Sequence, residues 1–210
     1  MLYDKDIREP LFDFLEERYG KVRVIEEKQM GRSRADVVMV LPDLVAGIEI
    51  KSDADTYARL ARQVADYDQF FDRNYAVVGT KHAMHIEEHL PPWWGIITVE
   101  PEDGVPDFYV LREARDNPRI EIEKKLRLLW RPELARLQEQ NGLPKYAGKS
   151  RQYVIRVLAQ RVSPELLNRQ ISDELFERDY AEAAREIEAY REAHSRTPAK
   201  KKRRRRMKIR

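Results

Sequence analysis

Apolar residues recur along this chain with two different periods. Between positions 36 and 51 they run almost unbroken, as Asp36-Val37-Val38-Met39-Val40 and Gly47-Ile48-Glu49-Ile50-Lys51, on either side of a turn at Pro42-Asp43. Near-continuous runs such as Val37 to Leu41 and Val45 to Ile50 predict strands of a central sheet covered on both faces. Upstream, Ile7, Leu11, Phe14 and Leu15 keep helical spacing between Asp4 and Tyr19, and Gly20 supplies a stop. Downstream, Leu60, Val64, Tyr67 and Phe71 form one stripe on a helix expected from Asp55 to Phe71. A first strand around Val22 to Ile25 and a fourth, Tyr75 to Gly79, complete a strand–helix–strand order that calls for a right-handed crossover. Ile96 to Val99 is expected to pair with Phe108 to Leu111 across Glu102-Asp103-Gly104. Beyond Arg119 the β pattern stops. Helical spacing then continues to a long charged segment, Pro164 to Arg196, where Tyr180, Ala184, Ile187 and Arg191 share a face; it reads as an exposed arm or a partner helix.

Charged groups within the apolar strands are what make the pattern chemical. Alternation puts Glu49 and Lys51 on one side of their strand, with Ile50 turned away. A hairpin symmetric about Pro42-Asp43 sets Asp36 opposite Glu49, with their Cβ atoms roughly 5 Å apart. Two carboxylates so close repel unless a cation sits between them. A hard divalent ion such as Mg²⁺ suits all-oxygen ligands and keeps several waters, one of which would lie beside Lys51. The bland alternative makes Asp36 a strand start after Gly31-Arg32-Ser33-Arg34, and Glu49 with Lys51 a solvated ion pair. Against it stands the cost of burying charge inside apolar strands without a purpose.

These residues resemble the PD-(D/E)XK nuclease superfamily, over roughly the first 110 residues. Arg34-Ala35-Asp36 and Ile48-Glu49-Ile50-Lys51-Ser52 match its second and third motifs, and Gln63 with Tyr67 matches the Q-x-x-x-Y helix that follows the lysine in many exonuclease-like and repair members. The resemblance implies an α/β fold with a restriction-endonuclease-like central mixed sheet flanked by helices. It implies that Asp36 and Glu49 bind Mg²⁺, with Mn²⁺ as a substitute, helped by the Ile50 carbonyl and by a further carboxylate, for which Glu9 is the best candidate on position along the first helix, with Glu16, Glu17 and the strand pair Glu26-Glu27 competing. Lys51 and Gln63 would serve catalysis, and Arg59 and Tyr67 would reach DNA. Farther on, Gly142-Leu143-Pro144 and Gly148-Lys149 resemble the SAP motif, a helix–extension–helix DNA-binding module, which makes Lys145, Lys149 and Arg151 candidate phosphate contacts. The alternative there is a helical hairpin that only buttresses the core.

Composition adds bounds. No Cys is present among 210 residues, which leaves no disulfide framework and no cysteine zinc site. The start has no signal-peptide core and no apolar run reaches membrane-spanning length, so a soluble cytoplasmic protein without a membrane partner is expected. The net charge of +3 hides an asymmetry: residues 200–210 hold nine of the 40 basic residues and no acid, leaving 31 against 37 acids and a net −6 elsewhere. That tail, Lys201 and Arg204 included, is expected to be disordered and to attract nucleic acid without regard to sequence. His82, His85 and His89 lack zinc-type spacing, and Trp93 with Trp94 beside prolines reads as a core edge ahead of a base-stacking platform. The organisation expected is a nuclease-like domain over 1–115, a SAP-like helical region over 120–160, a charged helical arm over 164–197 and a basic tail over 198–210. The function expected is metal-dependent DNA cleavage, with repair, recombination and phage or defence DNA processing as the settings the resemblance allows. The rival is a non-catalytic nucleic-acid-binding or recruiting protein on the same scaffold. RNA as substrate, endo- against exonuclease action and oligomeric state, a dimer included, are left open by the sequence.

Overall fold

In the computed structural model, which describes residues 2–179 and Arg185, the first helix and the sheet follow the apolar pattern. Helix α1 (Asp4–Tyr19) buries Ile7, Leu11 and Leu15, and Gly20 closes it with φ of 72°. Pro10 lies inside it, six residues after its start, where the missing N–H leaves the Asp6 carbonyl without its usual intrahelical donor. Strand β1 (Arg23–Met30) is longer than the expected 22–25 and continues into β2 (Ser33–Leu41) and β3 (Leu44–Lys51), an antiparallel meander. The β2–β3 register is the symmetric one: Val37 faces Ile48 and Leu41 faces Leu44.

Helix α2 (Leu60–Phe70) starts later than the apolar stripe predicts, behind a 3-10 turn at Tyr57–Arg59. The delay has a local cause. Asp55 accepts hydrogen bonds from the Ser52 amide and hydroxyl at 2.9 and 2.7 Å, holding 52–55 in a turn. Strand β4 (Arg73–Gly79) pairs in parallel with β3, and after α3 (Thr80–Ala83) strand β5 (Gly95–Glu102) pairs in parallel with β4. Strand β6 (Val105–Arg112) closes the row antiparallel, giving a six-stranded mixed sheet in the order β1-β2-β3-β4-β5-β6.

Both faces of the sheet are covered, as the continuous apolar strands require. Alternate residues Val37, Met39, Ala46, Ile48 and Ile50 pack with α1 on one side. Val38, Val40 and Val45 pack on the other with Leu60, Val64, Tyr67 and Phe71 of the α2 segment. Gly47 matters on this second face: a Cβ there would fall 2.6 Å from the Tyr67 ring, so only glycine lets that ring lie on β3.

The remaining helices join the same second layer. They are α4 (Ile122–Lys125), continued by a 3-10 turn at Leu126–Leu128, then α5 (Arg131–Gln140), α6 (Arg151–Arg161) and α7 (Pro164–Phe176). Leu134, Leu137, Val154, Ile155, Leu158, Leu167, Ile171 and Leu175 belong to the core that contains α2. The exposed arm expected from Pro164 is therefore corrected over its first part. Leu167, Ile171 and Leu175, four residues apart, bury the face of α7 against the body. Residues through Arg178 form one compact unit, and a second unit begins at Asp179. Most of the expected arm and the whole basic tail, with Lys201 and Arg204, lie outside the described residues. No helix among the described residues is long and apolar enough to cross a membrane.

Candidate active site

At the open end of β3 the chain assembles a polar cleft of about 310 Å³, lined by α1, the β1–β2 turn, β2, β3 and the start of α2. Asp36, Glu49, Ile50, Lys51, Arg59 and Gln63, expected from sequence, all line it. One step beyond the paired Val37 and Ile48, the register sets Asp36 across from Glu49. Asp36 accepts a hydrogen bond from the Ile50 amide at 2.9 Å.

Glu49 is 1% exposed, yet three side chains donate to its carboxylate: Lys51 Nζ, Gln63 Nε2, and the Tyr67 hydroxyl at 2.8 Å. Such a set satisfies a buried charge that would otherwise be costly. Tyr67 does more than support Glu49. Its hydroxyl accepts from the Asp36 amide at 3.2 Å and also lies 3.1 Å from the Ile48 carbonyl, so one oxygen ties β2 to β3 beneath both acids. Burial first, then the nearby Glu49 and Asp36 charges, push its phenol well above the usual range.

Asp36 has the opposite problem. Burial, and after it the Glu49 charge, pushes its carboxyl up to about 7, despite partial relief from the Ile50 amide, Lys51 and Arg8. A divalent cation would remove that repulsion. The donor chemistry fits one: two carboxylates, and the Gln63 Oε1, a buried oxygen with no hydrogen-bond partner among the described residues. Mg²⁺ needs only one or two carboxylates plus waters, so the pair suffices although no cluster of three acidic or imidazole ligands occurs among the described residues.

Several expected contacts are corrected. Glu9 is exposed and does not line the cleft, which α1 reaches instead through Asp4 and Arg8. The apolar stripe fixes the helix phase, and one residue of rotation, about 100°, separates Arg8 from Glu9. Arg8 donates to Asp4 at 2.7 Å and to the Asp36 carbonyl at 3.2 Å. Tyr67, expected as a nucleic-acid contact, is fully buried, and its hydroxyl is turned to the two acids and away from solvent. Arg151 donates to the Arg127 and Leu129 carbonyls at 2.6 and 2.7 Å, capping the preceding turn. Lys145 and Lys149 are exposed on the extension between α5 and α6, where Gly142 takes φ of 62° and the Ser150 hydroxyl caps α6. Trp93 and Trp94 both donate their indole N–H to Asp68, at 3.1 and 2.8 Å. His82 Nε2 lies 3.1 Å from the Ser52 carbonyl, steadying the strand end after Lys51.

Sequence reasoning missed Asp4, Arg8, Arg32, Arg34, Asp55 and Arg62 of the cleft. The spacings Asp4–Arg8 and Arg59–Arg62 carried a helical signal for two of the arginines. Arg32, in a turn, carried none.

A search of curated proteins found no match. A solved structure titled as Pyrococcus furiosus SfsA in complex with Ca²⁺ is similar at 15% identity with a TM-score of 0.31; the match covers 53% of this chain and 61% of that one, less than two thirds of its length. The family model described as bacteriophage P4 protein cII matches residues 2–200, a span that takes in the sheet, the cleft and every described helix. The chain belongs to the bacteriophage P4 protein cII family.

Proposed function

We propose that the cleft is the active site of a metal-dependent DNA nuclease of the PD-(D/E)XK kind, on a restriction-endonuclease-like core. The observation that carries this reading is Asp36 and Glu49, set across from each other one step beyond the β2–β3 pairs, with Lys51 two residues on, at the floor of a cleft rich in arginine. Asp36 and Glu49 would hold the ion, with the Ile50 carbonyl beside them. Bound there, Mg²⁺ would supply a Lewis acid and an activated water.

The chain's own groups do the rest. Gln63 and Tyr67 hold the Glu49 carboxylate in place, and Tyr67 also fixes the Asp36 backbone. Lys51, 4% exposed and paired with Glu49, orients the attacking water and stabilises charge developing on the phosphate. Lys145 and Lys149, on the α5–α6 extension, supply a second cationic stretch for DNA. The test is cleavage by Asp36→Ala and Lys51→Ala proteins whose circular dichroism matches wild type. Both should lose Mg²⁺-dependent cleavage of DNA. Cleavage equal to wild type would sink the mechanism, and metal-independent DNA binding without cleavage of any single-stranded, double-stranded or branched substrate would favour the non-catalytic binder.

A further inference from the structure

Three arginines in the cleft are uncommitted. Arg8 and Arg34 also line it, but Arg8 is tied to Asp4 and Arg34 to Glu27 at 3.1 Å. Arg32, Arg59 and Arg62 are exposed and make no hydrogen bond or ion pair among the described residues. Unpaired guanidiniums gathered at one cleft repel each other, and they persist where an anion is to be met.

Their spacing is built in. Arg59 and Arg62 stand three apart across the junction of the 3-10 turn and α2, so they share a face. Arg32 sits in the β1–β2 turn, and that turn is fastened to α2: the Ser33 hydroxyl donates to Asp66 at 2.5 Å. Gly31, with φ of +51°, backs onto the same carboxylate, where a Cβ would come within 3.0 Å of Oδ1. The turn that carries Arg32 is therefore fixed to the helix that carries Arg62.

What the cleft lacks is equally informative. Among the described residues its lining contains no aromatic residue, and Ile50 is the one apolar residue in it. Binding of unpaired bases relies on aromatic stacking platforms. The two tryptophans that were candidates for one are committed to Asp68. Gln63, the one amide in the lining, is 9% exposed and holds Glu49, so it is not offered to a base edge.

We propose that Arg32, Arg59 and Arg62 form a phosphate clamp that holds duplex DNA by its backbone, with the bases left paired and unread. This rests on the reading of the cleft as the DNA-cleaving site and adds to it the substrate's strandedness and its sequence independence.

Fluorescence anisotropy on the full-length Asp36→Asn protein in EDTA tests the clamp without any cleavage. A short duplex should bind more tightly than either of its strands. The Arg32→Gln, Arg59→Gln, Arg62→Gln triple variant should bind duplex about tenfold or more weakly, with a log–log salt slope shallower by roughly 2 to 3, alike for A·T-rich and G·C-rich duplexes. The matching triple Lys variant should keep the slope. Because the basic tail is common to every protein compared, the difference isolates the cleft. Tighter binding of single strands, an unchanged slope in the Gln variant, or an equal loss from Tyr3→Ala, an exposed ring beside Asp4, would overturn the clamp. The nuclease reading fails separately, through absence of Mg²⁺-dependent cleavage by wild type, and the slope difference does not depend on that result.

Discussion

Among the described residues two places bury a lysine against a carboxylate, and they are completed differently. Under α4, Lys125 is fully buried, and its Nζ donates to both Asp72 oxygens at 2.8 and 2.6 Å and to Asn168 at 3.0 Å. Asp72 in turn accepts from the Val45 amide at 2.7 Å. All three ammonium hydrogens of Lys125 and both Asp72 oxygens are engaged, and the cluster staples α4, α7 and the sheet together. In the cleft, Lys51 and Glu49 are buried just as well, but the cluster is left incomplete. Asp36 carries a strained charge, Gln63 Oε1 has no partner, and arginines face the opening. A buried ion pair that closes on itself serves cohesion. One that stays unsatisfied toward a cleft is available for chemistry.

The contrast breaks most clearly if each cluster is cut once. Lys125→Met leaves Asp72 buried without its cation, so unfolding free energy should fall by about 3–5 kcal/mol, read by urea denaturation, with cleavage per folded molecule unchanged. Asp36→Asn should do the reverse. Cleavage should fall by about 10²–10³-fold or more, while metal-free protein at pH 8 becomes more stable by up to about 4 kcal/mol.

The sign follows from the raised carboxyl. Folding lifts the Asp36 value from its ordinary range to about 7, so the folded state binds that proton more tightly than the unfolded state. The stabilising contribution is present below about pH 4 and is lost as pH rises to 7. In EDTA, wild-type stability should decline across that window and Asp36→Asn should flatten the decline. Cleavage should run the other way, rising with pH toward about 7, with its midpoint moving lower as Mg²⁺ is raised, because metal and proton compete for one carboxylate.

Smaller effects sharpen the comparison. Tyr67→Phe leaves the Asp36 amide and a Glu49 oxygen unpaired, and should cost about 1–3 kcal/mol of stability together with a fall in kcat larger than any rise in KM. Arg151→Ala should lower stability by about 1 kcal/mol through the Arg127 and Leu129 carbonyls and leave DNA affinity unchanged. Lys149→Ala should weaken DNA binding slightly and leave the melting temperature where it was.

The β2–β3 hairpin was legible because two constraints agreed: apolar runs of matched length and a two-residue turn leave one register, and a one-residue slip would turn Glu49 away from Asp36. Helix α1 was legible in extent but not in its contribution, since choosing Glu9 by position ignored the phase that Ile7, Leu11 and Leu15 impose. Tyr67 fitted both a core stripe and a site motif, and its ring and hydroxyl do both. The burial of α7 was obscured by charge: Leu167, Ile171 and Leu175 form a plain stripe, but Glu165, Arg169, Asp173 and Glu174 between them suggested an exposed arm. Arg32 was illegible because a turn has no period, and its turn is held against α2 by the Ser33–Asp66 contact, a long-range bond no local pattern encodes.

The most direct measurement is cleavage of duplex DNA by the full-length protein in Mg²⁺, in Mn²⁺ and in EDTA, with Asp36→Ala alongside. Metal-dependent cleavage centred on Asp36 and Glu49 predicts products with either metal, none in EDTA and none from the variant. Intact DNA in every lane with wild type, or equal cleavage by Asp36→Ala, would contradict it.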